Sequence, residues 1–75
     1  MSDAKAQLEA LLQQAKSFVA EGRIAEACNR LYDAEAVAYK SGMFTDSAEC
    51  RKAIGVIRGG KSSEWLQRRD SRATL

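Results

Sequence analysis

The chain has 75 residues, 45% hydrophobic and 29% charged, with a formal net charge of +2 and a pI near 8.7. It is one domain at most, too apolar for a wholly disordered chain and small enough to bury only about 60% of the surface its unfolded form exposes. With no histidine, a Ser-His or Cys-His nucleophile cannot be assembled and the commonest metal ligand is missing, so the expectation is a non-enzyme with no metal and no cofactor.

No proline interrupts the chain, and alanine, leucine, glutamate, glutamine, lysine and arginine fill its long stretches, which predicts an all-α fold. Ser2 or Asp3 can cap a first helix whose apolar residues Leu8, Leu11, Leu12, Ala15, Phe18 and Val19 repeat at three and four positions. Gly22 ends it, because glycine accepts the left-handed conformation that closes many helices. A second helix over about Ile24 to Lys40 carries Ile24, Ala27, Leu31, Ala34 and Ala38 on one face, with Ala25, Tyr32, Ala36 and Tyr39 on others. This wide apolar surface makes it the expected central helix, ended by Ser41-Gly42. Asp46 with Glu49 three residues on fits a capping box, and Phe44 just upstream is placed to pin the entering chain to the core. A third helix is therefore predicted to start at Asp46, to bury Cys50, Ala53, Ile54 and Ile57, and to stop at Gly59-Gly60.

Residues 1–61 thus form a small three-helix bundle, an αα-hairpin plus a third helix. Residues 62–75 read as either a short basic fourth helix docked by Trp65 or a flexible tail, with order expected to end near Asp70. Cys28 and Cys50 fall on apolar faces and read as buried thiols rather than a disulfide. With no leader-like segment and no apolar run of membrane-spanning length, they suggest a reducing cytoplasm and no membrane contact. Gly55-x-x-x-x-Gly60-Lys61-Ser62 formally matches a phosphate-binding loop. That loop requires a strand before its first glycine, whereas Gly55 lies in an amphipathic helical stretch.

The spacing of Leu11, Ala15, Phe18, Gly22, Ile24, Ala27, Leu31 and Ala34 resembles one tetratricopeptide repeat over residues 8–40, although Tyr39 stands where that family usually has proline. The resemblance implies ligand-facing positions at Glu9, Leu12, Lys16, Val19 and Ala20. One such unit cannot bury its faces alone, so it must close on itself, dimerise or borrow a partner's surface.

After a three-helix core is packed, Leu12, Lys16, Val19, Tyr32, Tyr39, Trp65 and Leu66 remain as candidate anchors for another protein. The expected function is a protein-binding module (adaptor, chaperone or inhibitor), with a homodimer as one form of the same reading. The alternative rests on charge. Residues 1–49 hold five basic and eight acidic side chains, residues 50–75 seven basic and two acidic. Arg51, Lys52, Arg58, Lys61, Arg68, Arg69 and Arg72 are the candidate nucleic-acid contacts.

Overall fold

In a computed structural model the described residues run from 3 to 73, with side chains described through Gln67. Four helices follow in chain order: α1 (Asp3–Ala20), α2 (Ile24–Lys40), α3 (Phe44–Arg58) and α4 (Ser62–Ala73). The protein is all-α, and no strand occurs among the described residues. The Ser2 cap position lies outside them.

One backbone device joins all four helices. At the end of α1, Gly22 adopts φ 79°; its N–H donates to the Val19 carbonyl at 3.0 Å and the Arg23 N–H to the Phe18 carbonyl at 2.8 Å. These are the paired bonds of a Schellman motif. Gly42 (φ 77°) and Gly60 (φ 85°) repeat it: Met43 N–H donates to the Ala38 carbonyl at 2.8 Å, and Lys61 N–H to the Val56 carbonyl at 3.0 Å. The residue after each glycine stands immediately before the next helix. The carbonyls of Arg23, Met43 and Lys61 accept from Ala27, Ser47 and Trp65 N–H.

This device moves the start of the third helix. It begins at Phe44, not Asp46, with Met43 as its N-cap and no side-chain capping bond. Asp46 and Ser47 consequently lie inside the first turn. Phe44 does not pin the chain to the core, since it is 60% exposed. Met43 takes that place, packed against Leu8, Ala34, Ala38 and Cys50.

The core follows from residue size. Ala27, Ala34 and Ala38 of α2 are fully buried and so is Leu31. Because these alanines are small, α1 and α3 pack closely on α2 and their larger side chains meet around it. One cluster joins Ala15 and Val19 of α1, Ala27, Cys28 and Leu31 of α2, Ala53, Ile54 and Ile57 of α3, and Trp65 of α4. Leu12 packs against this cluster and against the second one around Leu8 and Cys50. Both cysteines are buried thiols that form no disulfide. No buried side-chain nitrogen or oxygen among the described residues lacks a partner.

Of the segment 62–75, the described residues Ser62–Ala73 form α4, and Trp65 docks it. The Trp65 side chain is 5% exposed and belongs to the main core cluster, with Leu66 packed against it. The backbone stays helical past Asp70, to Ala73.

Candidate functional site

The exposed large apolar side chains among the described residues gather on one face. Tyr32 (47% exposed), Tyr39 (62%) and Phe44 (60%) lie on the outer side of α2 and at the start of α3. On α2, Tyr32, Ala36 and Tyr39 are four and three residues apart, so they form one stripe that points away from the buried alanines. On α3, Arg51, Gly55 and Arg58 follow the same spacing and are all exposed.

Three cross-helix contacts fix the two stripes against each other. At one end the Arg58 guanidinium donates to the Tyr32 hydroxyl at 3.4 Å. In the middle, Arg51 Nε and Nη2 both approach Glu35 Oε2, at 2.8 and 2.7 Å. At the other end the rings of Tyr39 and Phe44 meet edge to face, centroids 5.3 Å apart at 68°. Falling α2-to-α3 pairings (32 with 58, 35 with 51, 39 with 44) are those of antiparallel helices. The Glu35 side chain is only 18% exposed against 71% for Arg51, so the pair is anchored on its carboxylate side. Between the stripes runs an open groove lined by Tyr32, Glu35, Ala36, Tyr39, Lys40 and Arg51.

The two sets of residues expected to serve rival functions are therefore interleaved. Tyr32 and Tyr39 from the protein-binding set share this face with Arg51 and Arg58 from the nucleic-acid set. The remaining protein-binding candidates are elsewhere. Val19 and Trp65 are core residues, 7% and 5% exposed, and cannot act as surface anchors while the fold is intact. Leu12 and Leu66 are partly buried against the core, and Lys16 is half-buried on α1. Lys52 and Lys61 are exposed. The side chains of Arg68, Arg69 and Arg72 lie outside the described residues.

Sequence reasoning missed Phe44, Glu35, Ala36 and Lys40. Phe44 reads inward in the sequence because the capping box puts the helix start half a turn late. Glu35 gains meaning only from Arg51, sixteen residues on, a separation that no local pattern reports.

A separate cluster sits at the α1–α2 corner. Arg23 donates from Nε to Glu26 Oε1 at 2.7 Å, its Nη2 pairs with the other oxygen of Glu26, and Nη1 reaches Glu21 at 3.4 Å. Its guanidinium carbon lies 4.9 Å from the Phe18 ring centroid. The hydrogen bond to Glu26 leads the causes that push its pKa up. The charged groups are largely exposed and serve the turn, while Phe18 is half-buried against the core. Burial raises the Cys28 thiol pKa, with the Arg58 charge opposing. Among the described residues no group of three or more His, Cys, Asp or Glu is placed to hold a metal ion, and no helix is long and apolar enough to cross a membrane.

Compared with protein-family models, curated proteins and solved structures, the chain matches none of them.

Proposed function

We propose that the protein is a protein-binding module whose contact surface is the outer face of α2 and α3. The single observation that supports this most is the concentration of Tyr32, Tyr39 and Phe44 beside Arg51 and Arg58, since tyrosine and arginine are enriched among residues that dominate interface energies. The rings are held by neighbours rather than loose, Tyr32 by Arg58 and Tyr39 by Phe44. A pre-organised anchor loses less side-chain freedom on binding, at a saving of about 0.5–1.5 kcal/mol per immobilised side chain. The likeness of residues 8–40 to a tetratricopeptide unit does not add to this reading, since the ligand-facing positions it implies, Glu9, Leu12, Lys16, Val19 and Ala20, lie on α1.

A nucleic-acid role has less support. Of the exposed cations Arg51, Lys52, Arg58 and Lys61, Arg51 is occupied by Glu35, so the strip facing the tyrosines does not offer the run of unspent positive charge that tracks a phosphate chain.

Site-specific photocrosslinking tests the proposal. A photoreactive residue placed at Ala36, in the groove, should give one defined protein adduct in the host cell, and Tyr39→Ala should abolish it. The same probe at Gln13, on the exposed side of α1, should not give that adduct. Equal adducts at both positions, or nucleic acid as the species captured at 36, would overturn it.

A further inference from the structure

We infer that the groove between Tyr32 and Tyr39 takes an acidic amphipathic helix, one whose apolar side chain is flanked by carboxylates about one turn to either side. This rests on the binding surface proposed above and adds the chemistry of its occupant. Charge placement selects that chemistry. In the middle of the groove Glu35 and Arg51 neutralise each other through two short contacts to one carboxylate oxygen. The charge left over lies at the two ends. Arg58 stands at the Tyr32 end, bonded to that hydroxyl, and Lys40 lines the groove beside Tyr39.

Between these ends Tyr32 and Tyr39 are separated by seven residues of helix, about 10 Å. Ala36 lies between them, small enough to leave a hollow for one apolar side chain. The complementary shape is a leucine-like residue seated on Ala36 between the two rings, with an acid on each side reaching Arg58 and Lys40. Acids at i−3 and i+4 about an apolar residue are also seven residues, or about 10 Å, apart on a helix. Complementary charge of this kind selects partners by repelling the wrong sign as well as by attracting the right one.

The test uses two short, fluorescein-labelled, alanine-based peptides with one central leucine. In the first, glutamates stand three positions before and four positions after that leucine; in the second, lysines take both places. Binding is read by anisotropy at low and moderate salt, with a short oligothymidylate as competitor and with sedimentation of the protein alone. The glutamate peptide should bind at least tenfold more tightly than the lysine peptide and weaken as salt rises. Tyr39→Ala should weaken it at least tenfold. The double variant Lys40→Glu, Arg58→Glu should reverse the preference toward the lysine peptide; both substitutions are on the surface, so the reversal remains readable if Tyr39→Ala fails to fold. Equal affinity for the two peptides, absence of reversal, displacement by oligothymidylate at lower concentration than by unlabelled glutamate peptide, or a face already covered by a second copy would each overturn the inference. A defined adduct from the probe at Ala36 together with no preference for the glutamate peptide would leave the binding surface standing and remove only the acidic occupant.

Discussion

Individual glycines in this chain carry opposite consequences for stability. Gly22 holds φ 79° at the first corner, where any side chain strains the backbone, so Gly22→Ala should cost about 1–2 kcal/mol even though nothing lies within 4 Å of the added carbon. Gly55 sits inside α3 on the exposed stripe with open space around it. Gly55→Ala should therefore stabilise by about 0.5–1 kcal/mol, because it removes backbone freedom from the unfolded chain without adding a clash. Thermal melts by circular dichroism should move in opposite directions, and melts moving together would contradict the assigned conformations. Cys28 adds a pH dependence. Burial raises its thiol pKa in the folded state, so the folded chain holds a proton that the unfolded chain releases. The contribution is fully present below the unfolded thiol pKa, about 8.5, and is lost as pH rises through the folded pKa. Stability should fall above about pH 8.5 more steeply in the native protein than in Cys28→Ala, as followed by urea melts across the range. Equal slopes would place the thiol in water.

At the scale of elements, α4 is held to the core chiefly through Trp65, with Leu66 packed beside it. Its contacts to the rest of the described structure are few beside those between α1, α2 and α3, and Trp65 is the member of α4 inside the core cluster. Trp65→Ala removes a buried aromatic worth about 3–5 kcal/mol in a typical core. The expected result is release of α4 with survival of the other three helices: hydrogen exchange should become rapid across Ser62–Ala73 and stay slow in Leu31 and its neighbours. A single cooperative loss of all four helices would show instead that α4 is integral to the bundle.

Legibility in the sequence differs by element. The bounds of α2 and the inward stripes of α1, α2 and α3 are legible because helical spacing and the terminating glycines are local signals. The start of α3 is not. A capping box at Asp46 competes with a backbone corner at Gly42, and the corner wins because its two hydrogen bonds close α2 and place Met43 as the next N-cap in the same stroke. That half-turn shift sends Phe44 outward to Tyr39 and Met43 inward. Trp65 allows two readings in the sequence, since a lone aromatic beyond a helix end fits either a core or a surface; only its packing with Ala53, Ile57 and their neighbours distinguishes them. Half of the candidate site is legible as residues, Tyr32, Tyr39, Arg51 and Arg58. Their assembly into one face is not, because its contacts join positions 16 and 26 apart in the chain.

For the whole molecule, the small side chains of α2 have a second consequence. Burying alanines inward lets three helices pack closely, and the same helix has its tyrosines left for the outside. The chain thus separates a thin, alanine-rich interior, in which Leu31 is the largest fully buried side chain among the described residues, from a surface stripe rich in rings and guanidinium groups. A stripe of this kind should be covered in the cell. Hydroxyl-radical footprinting of the protein in its host cells and after purification tests that most directly, with half-buried Phe18 at the far corner as the internal reference. Oxidation of Tyr32, Tyr39 and Phe44 relative to Phe18 should be several-fold lower in cells than in the purified protein; equal relative oxidation in the two states would contradict the claim.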